Sequence, residues 1–201
     1  ENQPLDIEEI VRDSFDENEA EQLTDKLSQL EPEEIAIALE AMPVEQRVST
    51  WLSLRTDDQI AALTYMRVDA RDNIFKQLDE AQLRRLMQLL RQHFQFLPEA
   101  ELSIEIDPRS CDVEKLRLLR ELGFSRVSFG VQDFDLQVQQ TINRIQPYSM
   151  VETLVNAARE LQFRSVNLDL VYGLPHQAAE TFSQTLAQVV TLDPDRISLF
   201  S

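Results

Sequence analysis

Four polar residues that could bind a charged ligand lie in or near β-branched segments in the second half of the chain. Glu105 and Asp169 stand between apolar residues, Gln132 follows the segment SFGV, and Arg144 lies in the next loop. Carboxylates accept hydrogen bonds from ammonium or hydroxyl groups, and a guanidinium binds a carboxylate. A carboxylate facing an enclosed interior needs such a partner. The residue types therefore fit a ligand site, and they fit equally an internal Glu/Arg network that holds no ligand.

The segments around these residues alternate between strand and helix patterns. We predict strands at 101–107, 126–131, 166–171 and 196–200, with helices at 112–122, 135–142, 149–161 and 178–192. Gly123 follows the first of these helices as a natural end. A βαβαβαβ order predicts parallel strands and right-handed crossovers, so the fold class of this half is α/β. The carboxyl ends of parallel strands meet at one edge, where such folds build their sites.

The first half of the chain has a different pattern, a twelve-residue repeat of large apolar residues. On one continuous helix, twelve residues rotate the side chain by about 120°, so the repeat predicts a helix break in every period. We expect a superhelix of helices of about eight to ten residues, with capping boxes at Thr56/Gln59 and Asp79/Gln82. The two apolar series are Phe15, Leu27, Leu39, Trp51, Leu63, Phe75 and Met87, and Leu30, Met42, Leu54, Met66, Leu78 and Leu90.

Charge and glycine are divided between the same two halves. Of a net charge of -17, residues 1–80 carry -14 and residues 81–201 carry -3, and all three glycines lie in the second part. We therefore predict two domains: an acidic helical superhelix at 1–80 and an α/β segment at 81–201. The fold class of the whole chain is α plus α/β.

The composition limits the partners and the location of the protein. An acidic surface repels phosphate backbones, so we expect no nucleic acid partner. No stretch reaches the length of a membrane helix, no secretory signal is visible, and a single cysteine suits a reducing compartment, so a cytoplasmic location is predicted. The acidic clusters are either solvated surface or weak Mg²⁺ sites.

The repeat resembles a known family. The stretch LSQLEPEEIAIALEAMPVEQRVSTWLSLRTDDQIAALTYM is similar to the cytosolic N-terminal domain of MgtE-type magnesium transporters, and the similarity covers about residues 5–80. The resemblance implies a superhelix of short helices with a role in sensing magnesium. The CBS domains and membrane helices of that family are absent from these 201 residues.

A second resemblance runs from about Leu78 to Ser201. The segments SIEIDPRS, GFSRVSFGVQDF, VQQTINRIQ, VNLDLVYGLPHQ and LDPDRISLF resemble consecutive motifs of the oxygen-independent coproporphyrinogen III dehydrogenase family, radical S-adenosylmethionine (SAM) enzymes of haem synthesis. The resemblance implies a partial parallel (β/α) barrel of four strands, the third to sixth of six. It also implies that Glu105, Gln132, Arg144 and Asp169 bind SAM: the carboxylates contact its amino or hydroxyl groups, and Arg144 contacts its carboxylate.

The chain departs from this family at the iron-sulfur cluster. The family's [4Fe–4S] cluster needs three cysteines in a CxxxCxxC loop, and this sequence has Cys111 alone. His93 and His176 have no metal-ligand spacing, so we assign no metal ligand and no catalytic residue. For these 201 residues we expect no bound cofactor other than weakly bound Mg²⁺.

Three hypotheses follow. The first is a non-catalytic composite, a recombined or engineered chimera of a magnesium-transporter-type helical domain and a truncated radical SAM barrel. The second is part of an oxygen-independent coproporphyrinogen III oxidase, in which another chain supplies the cluster. The third is a magnesium-responsive module. In each case the unpaired strand edges of a partial barrel favour a homo-oligomer.

Overall fold

Short helices form the first part of the chain in the computed structural model, which describes residues 20–201. Phe15 and the beginning of the predicted 1–80 domain lie outside these residues. The helices are α1 (Ala20–Leu27), α2 (Pro32–Ala41), α3 (Val44–Ser53), α4 (Thr56–Tyr65), α5 (Val68–Gln77) and α6 (Glu80–His93). From α2 to α6 each helix begins twelve residues after the one before it, which is the spacing that the apolar series predicts.

Packing in this part joins helices that are two apart in the sequence. Contacts run from α1 to α3, α2 to α4, α3 to α5 and α4 to α6. Most of the predicted apolar series is buried, including Leu39, Trp51 and Met66. A ten-residue helix is marginal alone in water, so this burial holds the helices in place. The further prediction that the array is a superhelix stays a prediction.

Side chains at equivalent positions of the repeat cover the carbonyl ends of the preceding helices. Arg47 of α3 donates from Nε to the Leu39 carbonyl at 2.9 Å, and its Nη2 donates to Glu40 and Met42. Twelve residues later, Gln59 donates from Nε2 to the Trp51 carbonyl at 2.9 Å and to Leu52 at 3.1 Å. These bonds satisfy carbonyl groups that a helix end leaves without intrahelical partners.

This arrangement corrects one of the two predicted capping boxes. The box at Asp79 and Gln82 is confirmed, with Gln82 N–H donating to Asp79 Oδ1 at 2.8 Å. The box at Thr56 and Gln59 is wrong, because α4 begins after Arg55 without a side-chain cap. The Gln59 side chain is buried and bonds the end of α3 instead, which a pattern of local spacing does not reveal.

The chain divides into two compact units after Gln95, so α6 belongs with the helical unit. The second unit contains strands β1 (Ser103–Ile106), β2 (Arg126–Gln132), β3 (Ser165–Val171) and β4 (Arg196–Phe200), and helices α7 (Val113–Glu121), α8 (Leu136–Thr141), α9 (Tyr148–Glu160) and α10 (Ala179–Leu192). Every predicted strand and helix of this half is present to within a few residues. None of the helices within residues 20–201 is long and apolar enough to cross a bilayer.

The four strands form one parallel sheet in the order β1-β2-β3-β4. Helix α9 packs on β2, β3, α7 and α10 and buries Val151, Leu154 and Val155 in the process. The facing side of the sheet is apolar and buried, including Phe129 and Leu168 at 0 % exposure. The described residues are thus rich in helix and contain a four-stranded parallel sheet with the predicted α/β order.

The β4 strand differs from its neighbours because its apolar residues are not covered. Ile197 is 49 % and Leu199 is 53 % exposed, and Val190 of the preceding helix is 69 % exposed. Among residues 20–201, β4 pairs with β3 alone, so its other edge has no strand partner, and an apolar surface lies beside it.

The contacts of Gln59 give the first testable prediction. We expect Gln59→Ala to lower the free energy of unfolding of the helical unit by about 1–3 kcal/mol, because two carbonyl groups lose their buried donor. The measurement is urea unfolding followed by fluorescence of Trp51, the chain's one tryptophan. The matched control is Gln88→Ala at an exposed position of α6, which should be nearly neutral. Equal effects of the two variants would contradict the capping role.

Candidate ligand site on the polar face of the sheet

The face of the sheet opposite α9 carries polar side chains in two neighbouring rows. One row aligns Glu105, Ser128, Asn167 and Arg196 across the four strands. The next row aligns Gly130, Asp169 and Ser198 across β2, β3 and β4. Adjacent strands lie about 4.8 Å apart, so each residue is within reach of its neighbours in the row. The alternation of side chains along a strand thus gathers these residues on one surface.

Asp169 is the best-connected carboxylate of this surface. Its side chain is buried at 8 % exposure, accepts a 2.6 Å hydrogen bond from the Ser128 hydroxyl and a 2.7 Å bond from the Asn167 amide. The Asn167 amide also lies 2.7 Å from the Ser128 oxygen and 2.9 Å from the Ser198 oxygen. An amide has two N–H groups, so at most two of these three bonds form at once. The network therefore fixes Asp169 with neutral donors.

Gln132 and Arg144 meet above Gly130. The Arg144 Nη2 donates to the Gly130 carbonyl at 2.9 Å. A Cβ atom at Gly130 would lie 2.7 Å from Arg144 Nη2, which is too close for a real contact, and 3.0 Å from Gln132 Nε2, which is unusually tight. Glycine at this position is therefore what lets both side chains approach the strand.

The backbone at Gln132 has an unusual conformation. Its φ is 67°, and the Asp133 N–H donates to the Val131 carbonyl at 2.9 Å, which closes a γ-turn with Gln132 in its centre. The turn follows an irregularity in the pairing of β2 with β3 between Gly130 and Gln132. A γ-turn with positive φ is rare and strained for a residue with a side chain. Such strain is typical of functional sites.

Arg144 is held by an acidic neighbour that the sequence interpretation did not include. Its Nη2 lies 3.5 Å from Asp107 Oδ2, and Arg109 donates to the same carboxylate, with Nη2 at 2.7 Å. Burial raises the pKa of Asp107, but the hydrogen bonds from Arg109 and the charge of Arg144 outweigh it and leave the pKa below its usual value. Burial lowers the pKa of Arg144, and Asp107 opposes that effect. The Nε of Arg144 is buried and has no hydrogen-bond partner among residues 20–201.

The predicted site residues are thus brought together to different degrees. Gln132 and Arg144 are adjacent over Gly130, and Asp169 is the register partner of Gly130 on β3. Glu105 is exposed one row away on β1, beside Ser128. The ion-pair partner of Arg144 is Asp107, a residue outside the predicted set, and the alternative of a Glu/Arg network without a ligand stays open.

Sequence reasoning did not find Asp107, Ser128, Asn167 and Ser198. Three of them share the alternation that identified Asp169: Asn167 lies two residues before it on β3, Ser198 is its register partner on β4, and Ser128 is the register partner of Asn167 on β2. That alternation could have included them in the prediction. Asp107 shares the alternation of β1, two residues after Glu105, but its contact with Arg144 could not be predicted because α7, β2 and α8 lie between the two residues in the sequence.

Other reactive groups do not add to this site. Burial raises the pKa of the Cys111 thiol to about 12, with a small opposing effect of Lys115, so the thiol is protonated at neutral pH. His93 lies 3.5 Å from an Asp57 carboxylate oxygen on the surface of the helical unit. Within residues 20–201, no group of three or more His, Cys, Asp or Glu side chains is arranged to hold a metal ion.

Comparison with models of protein families shows which superfamily includes this chain. The model of the radical SAM superfamily matches residues 20–189. The chain belongs to the radical SAM superfamily. The match extends over the helical unit as well, although the strands of the described residues all follow residue 102.

Individual relatives narrow the comparison. The chain is 52 % identical over 126 residues to the oxygen-independent coproporphyrinogen III oxidase of Pseudomonas aeruginosa, and 51 % identical over 124 residues to that of Escherichia coli. Each alignment covers 62 % of this chain and 27 % of the relative. The solved structure of coproporphyrinogen III oxidase (HemN) from E. coli, a radical SAM enzyme, aligns with a TM-score of 0.60 and 51 % identity over 61 % of this chain and 28 % of that one. The chain thus spans about a quarter of the length of these relatives.

Two glycine variants test the geometry over Gly130. We expect Gly130→Ala to displace the Arg144 guanidinium with little change in Tm, because the clash is with the mobile ends of two side chains. The readout is the Nε–H resonance of Arg144 in NMR spectra of the variant.

The matched control is Gly123→Ala. Gly123 follows α7 with a φ of 99°, so alanine should cost about 1–3 kcal/mol in backbone strain and leave the Arg144 resonance unchanged. An unchanged Arg144 resonance in Gly130→Ala would show that the approach to Gly130 is not what positions this side chain.

Proposed function

We propose that the polar face of the sheet binds SAM, and that the chain is a segment of an enzyme of the oxygen-independent coproporphyrinogen III oxidase type. The observation that carries the proposal is the Gln132–Arg144 pair over Gly130, in which 23 % of the Arg144 side chain remains exposed. The identity of about half of the aligned residues with such oxidases supports the choice of ligand.

The residues fit the groups of SAM by charge and hydrogen bonding. Arg144 would hold the carboxylate of the ligand, since a guanidinium binds carboxylates through paired N–H groups. Glu105 and Asp169 would accept hydrogen bonds from its amino or hydroxyl groups, and the Gln132 amide would bind a polar edge. Asp107 keeps the charge of Arg144 compensated when no anion is bound.

The cluster of radical SAM enzymes does not fit these residues. The 201 residues contain one cysteine, and its thiol has a raised pKa, whereas a cluster with three cysteine ligands needs three thiolates. Cleavage of SAM would therefore require cysteines outside this sequence. For the chain itself we propose binding without catalysis, in keeping with the composite hypothesis.

The role of the helical unit rests on sequence alone. We retain as a proposal that it is a superhelix of the magnesium-transporter type, and that the chain is a composite of two ancestries. Weak binding of Mg²⁺ draws no support from the side chains of residues 23–201, which form no group of metal ligands. A change in Tm with MgCl₂, compared with NaCl at equal ionic strength, would be the first result in its favour.

SAM binding is tested by calorimetric titration of the 201-residue chain. We expect weak binding that Arg144→Gln reduces by about 10- to 100-fold, because a hydrogen-bonded charge is worth about 1.5–3 kcal/mol. The matched control is Arg117→Gln, an exposed arginine of α7 that pairs with Glu114. S-adenosylhomocysteine serves as a second probe that shares the carboxylate and amino groups. Absence of binding at millimolar SAM, or equal affinities of the two variants, would refute the proposal.

We also propose that the free edge of β4 associates with a second copy of the chain. Antiparallel pairing of β4 about Ser198 would place Ile197 of each copy opposite Leu199 of the other, so the apolar surface is self-complementary. We expect light scattering to give a mass that rises with concentration, and Ile197→Lys to abolish the rise. Val68→Lys, at an exposed position of α5, is the control that should leave it intact. A constant monomer mass for the unsubstituted chain would contradict this association.

A further inference from the structure

The one carboxylate of the α/β unit that is completely buried belongs to Asp133, directly after Gln132. Its exposure is 0 %, and it lies at the carboxyl end of β2. Its Oδ1 accepts hydrogen bonds from the Asp135 N–H at 2.8 Å and from the Thr185 hydroxyl, and its Oδ2 accepts one from the Gln177 amide. Three donors offset the cost of burying the carboxylate.

These bonds connect three elements to the end of β2. Asp135 begins α8, Thr185 lies in α10, and Gln177 lies in the loop that follows β3. Gln177 is itself fixed, because its Oε1 accepts from the Gly173 N–H at 2.7 Å and its Nε2 also donates to the Val171 carbonyl at 2.9 Å. The main chain of Asp133 is held too, since its carbonyl accepts from the Gln139 amide at 2.8 Å.

The neighbouring γ-turn needs such an anchor. A residue with a side chain at a φ of 67° is strained, and the surroundings must hold it there. Asp133 supplies the N–H that closes the turn, and its side chain and carbonyl fix the position of that N–H. This γ-turn brings the Gln132 side-chain amide close to Gly130, beside Arg144.

We infer that Asp133 is a positioning residue of the ligand site: it holds Gln132 in the strained γ-turn and so keeps the Gln132 amide beside Arg144. The role in ligand binding rests on the proposed function, whereas the role in holding the turn does not. In this role Asp133 does not touch the ligand. Its effect on the ligand passes through Gln132.

Asparagine at position 133 separates shape from hydrogen bonding. The Asn amide would face the Gln177 Nε2, a donor, and Gln177 is prevented from flipping by Gly173 and Val171. We therefore expect Asp133→Asn to break the link to the loop and to release the turn. Thr185→Val removes the hydroxyl donor to Asp133 with little change in side-chain shape. It replaces Asp133→Asn in the experiments if that variant does not fold.

A stability cycle tests the hold on the turn without any ligand. With Asp133 present, Gln132→Gly should have a higher Tm than Gln132→Ala, because glycine adopts a positive φ without strain and alanine does not. In the Asp133→Asn or Thr185→Val background this difference should shrink or vanish, because the turn has relaxed. A difference that stays the same in both backgrounds would overturn the inference, and so would its absence when Asp133 is present.

A ligand-binding cycle tests the second half of the inference. Asp133→Asn should weaken SAM binding about tenfold when Gln132 is present and have no further effect in Gln132→Ala. Equal weakening in both backgrounds would mean a general structural role and overturn the positioning role. If no variant binds SAM, the proposed function fails, while the stability cycle still decides the role of Asp133 in the turn.

A matched destabilising variant completes the design. Val189→Ala removes buried apolar volume from α10, the helix that carries Thr185, at a residue with 0 % exposure. It should lower Tm but preserve both the Gly/Ala difference at position 132 and the SAM affinity of the folded chain. Loss of either in Val189→Ala would show that any destabilisation of this unit mimics Asp133→Asn, and would refute the inference.

Discussion

The candidate site depends on how the carbonyl groups at the carboxyl end of β2 are satisfied. The pairing with β3 is irregular between Gly130 and Gln132, so these carbonyls need donors from elsewhere. Arg144 donates to Gly130, and the buried Gln146 donates to Gly130 and to Val131. The same requirement that completes the strand therefore brings a guanidinium to the polar face. If the proposed function holds, the side chain that satisfies this carbonyl also recognises the ligand.

Electrostatics around Arg144 follow from this placement. A partly buried guanidinium is costly, and its lowered pKa reflects that cost. Asp107 also binds Arg109, so its one negative charge is shared between two arginines and compensates the charge of Arg144 only in part. An anionic ligand at the exposed part of the guanidinium would compensate the remaining charge. This is the physical argument for a carboxylate-bearing ligand, and it is independent of family membership.

In the helical unit, too, side-chain donors satisfy carbonyl groups, and they do so at equivalent positions of the repeat. Arg47 and Gln59, twelve residues apart, each bond the end of the helix before their own. The surface contacts repeat as well: Arg55 donates to the Ser28 carbonyl, and Arg67 pairs with Glu40 at 2.9 Å. A short helix with an incomplete end is thereby stabilised by its successor. This explains how ten-residue helices persist in an acidic chain.

The sequence by itself determined the elements of both units, because apolar periodicity and turn residues act locally. It gave the four strands, the twelve-residue helix spacing and the choice of Asp169 through alternation on β3. Only the tertiary structure decided the partners: Asp107 for Arg144, Gln59 for the end of α3, and Asp133 as the anchor beside Gln132. Such contacts join residues that are distant or on different elements, and they follow from packing and from the need to satisfy buried polar groups. Spacing along a chain does not encode which donor reaches which carbonyl.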